Sequence, residues 1–255
     1  MNFDITTYKI KVPNFYDFKS NILILADIHE KNYDLIINEI ENLNFDAIFI
    51  PGDLFIKHVY DINNSICKSR IRFLEYCIKK CPVYYSLGNH EWMFNKKDID
   101  IIKKIGCIVI DNNFVKVSKK VYVGGLSSPL KYAKNGILPE YFEPNIKWIK
   151  NYQNMNGYKF LLCHHPEYYE RYLKDLSIDL IIAGHAHGGQ IRILNRGLYA
   201  PGQGLFPKYT SGYIDNKMVI SRGLSNTIKF IPRINNSIEF VILNLIRLDT
   251  NVNNI

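Results

Sequence analysis

Residues able to ligate a metal recur where apolar runs stop: Asp27 with His29, Asp53, Asn89 with His90, His164, and His185 with His187. The clearest case is Leu180-Ile181-Ile182-Ala183-Gly184-His185-Ala186-His187, in which aliphatic residues give way to a glycine and two alternating histidines. Such a run fits a buried strand. In extended chain, positions i and i+2 project to one side, so His185 and His187 would point together with Cα atoms about 7 Å apart. They could converge on one ion or serve two ions about 3.5–4 Å apart. A lone H-x-H decides little, because histidine is an ordinary half-buried residue. The carboxylates at the other run ends decide more. If Asp27 and Asp53 stood about 4 Å apart, they would repel by about 4 kcal/mol at an effective dielectric of about 20, so an enclosed pair needs a cation. Oxygen and imidazole donors without thiolate suit Mn, Fe, Zn, Co or Ni, whereas Mg alone seldom uses so many histidines. Two such ions can lower the pKa of water towards about 7 and hold phosphoryl oxygens for in-line attack.

The elements that must bring these residues together follow from periodicity. Ile22 to Ala26 and Ala47 to Ile50 are continuous apolar runs, and Leu35, Ile36, Ile40 and Leu43 recur between them at helical spacing. Strand, helix, strand is a βαβ unit. A helix over roughly 66 to 79, a strand at Val83 to Leu87 and a helix over 98 to 105 come next. Short strands at Cys107 to Ile110, Phe114 to Val117 and Val121 to Gly124 then read as a meander. A helix near Ile146 to Tyr152, a strand at Tyr158 to Cys163 and a helix around Tyr168 to Leu173 lead to the H-x-H run. Hairpins and a closing strand at Ile238 to Leu245 finish the pattern, while Tyr8, Ile10 and Val12 suggest a short edge strand before it. In open α/β sheets the functional crevice lies beyond the carboxyl ends of the strands, where these ligands would meet. Gly52, Gly88 and Gly184 each precede a ligand, at points where the chain needs unusual backbone angles or close approach.

The composition is that of a globular chain: 255 residues, 47% hydrophobic and 22% charged. No linker, repeat or low-complexity block divides it, so residues 1–255 are expected to form one domain. The net charge of +8 fits an anionic partner such as a phosphate ester, nucleic acid or acidic membrane surface, or Lys-rich solvated faces. Five irregularly spaced cysteines argue against a disulfide framework, and Cys77 and Cys81 are expected to pack in the core. Neither a signal-peptide core nor a transmembrane run is present, which points to a cytoplasmic protein with peripheral membrane contact as its only membrane contact.

The series D-x-H, G-D, G-N-H-E, H and G-H-x-H, from Asp27 to His187, resembles the calcineurin-like metallophosphoesterases, with every motif in the family's order. The later Gly188-Gly189-Gln190, Phe206-Pro207-Lys208-Tyr209 and Ser221-Arg222-Gly223-Leu224 resemble a bacterial branch that includes exported phosphodiesterases and enzymes cleaving UDP-diacylglucosamine. The resemblance implies an α/β (α+β) fold, a four-layer α-β-β-α sandwich with two mixed sheets. It implies a first metal on Asp27, His29 and His187, a second on Asn89, His164 and His185, and Asp53 bridging both. His90 would be the non-ligand histidine that assists the leaving oxygen, while metal-bound hydroxide attacks a phosphomonoester, phosphodiester or pyrophosphate. Glu91 would orient a histidine or simply open a helix. The substrate would be a phosphorylated small molecule or a lipid-linked one; nuclease activity and a non-catalytic interaction module are the alternatives. His165 would point away from the ligands in a continuing strand, and His58 would lie in a loop. Relative to the branch pattern, Ala186 replaces a Thr, His165 an Asn, and Ser225 a Gly that would border the substrate. Residues 127 to 145 and 196 to 210 are candidate lids, with Lys131, Arg196 and Lys208 as anion contacts or solvated charges.

Overall fold

The computed structural model describes residues 3–29, 33–56, 62, 65–129, 131–132, 139–140, 143–194, 196–226 and 231–248. His58 and most of 130–142 lie outside them, so the loop reading of His58 and the middle of the candidate lid over 127 to 145 fall outside the described residues, as does the Lys131 side chain.

The chain opens with β1 (Phe3–Val12), β2 (Asn21–Ile24), α1 (Tyr33–Glu41), β3 (Ala47–Ile50), α2 (Ser65–Lys80), β4 (Val83–Tyr85), α3 (Lys96–Lys104) and β5 (Ile108–Val109). It continues through β6 (Asn113–Lys116), β7 (Val121–Leu126), the small ladder β8 (Lys131–Tyr132) with β9 (Pro139–Glu140), α4 (Ile149–Tyr152), β10 (Tyr158–Cys163) and β11 (Leu180–Ala183). Four short strands follow, β12 (Arg192–Ile193), β13 (Arg196–Gly197), β14 (Tyr199–Ala200) and β15 (Gly204–Leu205), and then β16 (Gly212–Ile214), β17 (Met218–Ile220) and β18 (Ile238–Arg247).

Two six-stranded mixed sheets result. One runs β1-β18-β2-β3-β4-β5 and the other β16-β17-β11-β10-β7-β6. Their facing surfaces share a core in which Ile22, Ile24 and Phe49 of the first sheet pack with Phe160, Leu162 and Ile182 of the second. The opposite face of the first sheet, with Leu23, Ile48 and Ile50, is covered by Ile36 and Ile40 of α1 and Phe73, Leu74 and Cys77 of α2. The outer face of the second sheet, with Leu161, Ile181 and Ile220, is covered by Ile149 and Tyr152 of α4 and by Tyr169 and Leu173. Burial on both faces is why these strands read as unbroken apolar runs rather than alternating ones. The architecture is the expected four layers, with a thin fourth.

Several elements differ from the sequence reading. β1 does sit at an edge, but it is ten residues long and pairs in parallel with β18 along its whole length. The C-terminal strand thus inserts between β1 and β2, a long-range pairing that local pattern does not reveal. The expected meander is two things. β5 pairs with β4 in the first sheet, while β6 pairs with β7 in the second, so the chain crosses between sheets at Asp111 and Asn112. The helix expected near 146 to 152 has only four residues, and Tyr169–Leu173 forms a π-helical turn. All five cysteines are free, and Cys77 packs in the core as expected.

Candidate metal centre

Each ligand-bearing loop begins where a strand stops, and the backbone there departs from extended geometry. Asp27, Asp53, His185 and His187 have φ of 52°, 56°, 65° and 46°. Asp and His tolerate this left-handed region better than most residues, yet such clustering is a mark of functional sites. It also corrects the geometry expected for the H-x-H pair. β11 ends at Ala183, so His185 and His187 are not alternating residues of an extended strand. Their rings diverge. His185 faces His164, with ring centroids 5.0 Å apart, whereas His187 faces His29 at 5.5 Å.

Loops from the first sheet supply both carboxylates. The turns after β2 and β3 are zipped together, with Ile28 N–H donating to the Asp53 carbonyl at 2.9 Å and His29 N–H to the same oxygen at 3.2 Å. Gly52, at φ 136°, lets the second turn pass: a Cβ there would fall 2.7 Å from both Gly88 Cα and His164 Nδ1. The 3-10 turn Asn89–Glu91 follows β4 and carries Asn89 and His90. Glu91 does not orient a histidine through a hydrogen bond. Its buried carboxylate accepts the N–H groups of Gly88 (2.7 Å), Asp53 (3.1 Å) and Phe55 (2.9 Å), tying two ligand loops together as well as opening the turn. Burial, reinforced by the Asp53 charge, pushes its pKa up to about 7.

The expected residues gather into adjoining clusters. Asp27, His29 and His187 form one group in which a donor atom of each lies within 4.8 Å of the others, and Asp53, His164 and His185 form another. A third group, His29, Asp53 and His90, joins them. Asn89 is buried beside them, at the start of its turn. The backbone N–H of His185 donates to both carboxylate oxygens of Asp27, at 3.1 and 3.0 Å, so a residue from one sheet fixes a carboxylate from the other.

These donors fit cations. His187 Nδ1 lies 2.8 Å from the Ser225 carbonyl oxygen, which can only accept, so that nitrogen carries the proton. His187 Nε2 therefore turns a lone pair towards Asp27 Oδ1 at 3.4 Å. Two acceptors facing each other need a positive charge between them. Burial also lowers the pKa of His29 and His185 well below the ordinary value and lowers that of His187, keeping these rings neutral as metal ligation requires. His185 Nε2 is buried without a hydrogen-bond partner among the described residues. His164 differs: burial opposes its charge, but Asp53, 3.1 Å away, outweighs this and raises its pKa to about 9. Burial likewise disfavours the Asp53 anion, and the imidazoles of His164 and His90 hold it well below the usual carboxylate range nonetheless. A proton on His164 thus occupies the electrostatic place of a cation.

Four further residues support the centre. His165, expected to point away, instead packs 4.3 Å from the His185 ring, with Nδ1 3.1 Å from Glu167 Oε1 and Nε2 2.6 Å from Ser128 Oγ. The reason is that β10 ends at Cys163, so strand alternation no longer governs residue 165. Ser225, expected to border the substrate, contacts two candidate ligands. It is 2% exposed, and its hydroxyl lies 2.9 Å from His29 Nε2 while its carbonyl fixes His187. Asn236 donates from Nδ2 to the carbonyls of His187 (2.8 Å) and Gln190 (3.1 Å). Neither Glu167 nor Asn236 carried a sequence signal; the His-Pro turn after β10 was the available hint for the former. Among the surface cations, Lys208 pairs with Glu170 at 2.9 Å, and Arg196 is exposed.

Carboxylates and imidazoles meeting at the strand ends of two stacked mixed sheets, under flanking helices, define a metallophosphoesterase-type centre. Residues 20–189 match the family model described as calcineurin-like phosphoesterase, and the chain belongs to that family. It is 28% identical over 184 residues to the uncharacterized metallophosphoesterase YkoQ of Bacillus subtilis, covering 68% of this chain and 63% of that one. It is also 28% identical over 203 residues to the uncharacterized metallophosphoesterase Cj0846 of Campylobacter jejuni, covering 74% of this chain and 49% of the relative. The uncharacterized protein YpbG of Bacillus subtilis is 27% identical over 202 residues, 76% of this chain and 71% of that protein. The chain therefore spans about half to two thirds of the first two relatives' length.

Proposed function

We propose that the chain hydrolyses a phosphate ester or pyrophosphate with two cations. Asp27, His29 and His187 would hold the first, Asn89, His164 and His185 the second, and Asp53 would lie between both. The observation that carries this reading is the position of Asp53, whose carboxylate belongs at once to a group with His29 and a group with His164 and His185. When bound, cations there lower the pKa of water and neutralise phosphoryl oxygens.

The chain's own residues supply position and proton. Asp53 Oδ1 accepts the His90 N–H at 2.8 Å, and the His90 ring stacks on His29 with centroids 4.4 Å apart. With its side chain 17% exposed, His90 is more open to substrate than the buried imidazoles behind it. That placement suits donation of a proton to a leaving oxygen, a role commonly worth about 10²–10⁴ in rate. The His185 N–H holds the Asp27 carboxylate and Glu91 anchors the Asp53 backbone as charge builds up. The test is a panel of mono- and bis-aryl phosphates, nucleotides, a nucleoside diphosphate sugar and single-stranded DNA, each assayed with Mn, Fe, Zn, Co and Ni. Hydrolysis of an aryl phosphate that requires added metal is expected. Absence of hydrolysis of every compound with every metal would overturn the proposal.

A further inference from the structure

The hairpins β12–β13 and β14–β15 stand on the turn that carries His187. Arg192 Nη1 donates to the Gly188 carbonyl at 3.0 Å, and Leu198 N–H donates to the Gly189 carbonyl at 3.1 Å. The root is thus fixed by polar contacts, and the far ends carry apolar side chains into solvent. Leu194 is 94% exposed, Phe206 77%, Leu205 69% and Ile193 60%. Single exposed apolar residues are ordinary, but a contiguous group on adjoining hairpins marks an interaction surface. Leu194 and Phe206 also have φ of 48° and 52°, a conformation bulky apolar residues rarely take. The fold holds these two outward at a conformational cost.

Charge lies directly beside them. A cleft of about 600 Å³ is lined by Arg192, Arg196 and Lys208 together with the Thr210 and Ser211 hydroxyls. An adjoining cleft of about 530 Å³ shares Arg196, Gly197 and Phe206 but is otherwise lined by Ile193, Leu194 and Leu198. Lys208 is partly neutralised by Glu170, whereas Arg196 is exposed and forms no ion pair with a described residue. Anion-binding cations therefore border an apolar surface, with Arg196 at the junction.

We propose that this hairpin pair docks the protein on an anionic lipid bilayer. The apolar ends enter the boundary between headgroups and acyl chains, and Arg196, with Arg192 behind it, meets lipid phosphate. A free phosphate would use the cationic cleft and leave Leu194 and Leu205 in water. A nucleic acid would do the same, since its contacts are made to phosphates and base faces. Only an amphiphilic surface satisfies both halves. The contact is made by the exposed ends of short hairpins and is therefore interfacial. Because the hairpins are rooted next to His187, docking would bring the metal centre close to the lipid surface.

Flotation of the full chain with phosphatidylcholine vesicles, with and without phosphatidylglycerol, tests this. Binding is expected to the anionic vesicles, weaker at high salt and weaker still on neutral ones. Leu194→Asp with Phe206→Asp should reduce it by about tenfold or more, and Arg196→Glu should abolish the preference for anionic lipid. Leu194 is exposed and lies outside residues 196 to 210, so for Leu194→Asp alone the melting temperature and metal-dependent hydrolysis of a soluble aryl phosphate should not change. That parallel assay separates failure of docking from failure of the catalytic reading. Absence of binding to anionic vesicles would overturn the proposal, as would equal binding by the Asp double variant. Self-association through the hairpin ends in place of vesicle binding, read by sedimentation velocity, would also overturn it.

Discussion

The two sheets bring different chemistry to the centre and hold it by different means. The first sheet supplies Asp27 and Asp53, and these anions are clamped by backbone amides: the His185 N–H for Asp27 and the His90 N–H for Asp53. Their loops are joined by Glu91, which accepts from Gly88, Asp53 and Phe55. The second sheet supplies His164, His185 and His187, and its loops are steadied by the Ser225 carbonyl and by the Asn236 and Glu167 side chains. Ser225 and Asn236 fix His187 and its turn, while the Glu167–His165 pair lies against His185. Anions are best stabilised by several fixed N–H dipoles, which a turn leaving a strand exposes. A neutral imidazole such as His187 needs one partner that sets tautomer and ring direction, and a carbonyl from another segment provides it. On the proposed two-cation reading, damage to Asp53 should therefore affect both cations, whereas damage on the second side should be confined to one.

Asp53→Ala is the most severe test of that contrast. Metal content should fall at both positions and turnover should drop by at least about 10³-fold; retention of one full equivalent of metal by elemental analysis would break the comparison. Next comes His90→Ala, with turnover reduced by about 10²–10⁴ and metal content close to that of the unaltered protein. Loss of metal instead would make His90 a ligand. Glu167→Gln should weaken one metal position by about 10–100-fold and spare the other, as resolved by stepwise titration with Mn or Zn. Equal weakening of both would show that the second side is as unified as the first.

Protonation of His164 gives a smaller, graded effect. Its pKa is raised to about 9 without an ion, so metal must displace a proton there. Affinity at that position should fall by about tenfold for each pH unit below about 9 and level off above it. Calorimetry in buffers of different ionisation enthalpy would count the released proton, and a pH-independent affinity would remove His164 from the ligand set. Glu91→Gln should touch turnover least. It should destabilise the fold by about 1–3 kcal/mol through poorly satisfied buried amides, seen as a lower melting temperature.

Much of this was legible in the chain itself. The apolar runs and helical spacings placed the strands and helices of the first sheet within a few residues, because each is locally amphipathic or buried on both faces. All eight candidate residues, Asp27, His29, Asp53, Asn89, His90, His164, His185 and His187, lie in the loops that follow strands, as the motif spacing implied. The pairing of β18 between β1 and β2 was not legible, since no local pattern specifies a partner more than two hundred residues away. Nor was the position of His165, because the two-residue period applies only while the strand continues.

What the sequence by itself determined was the candidate donor set: two carboxylates and a group of imidazoles after apolar runs, without thiolates, a set that suits borderline cations. Tertiary structure alone decided how that set is divided. The left-handed backbone at His185 and His187 turns two adjacent histidines to different neighbours, and the stacking of the sheets sets Asp53 between the resulting groups. The division could not be read earlier because it depends on backbone angles and on contacts between the two sheets, and residue spacing encodes neither.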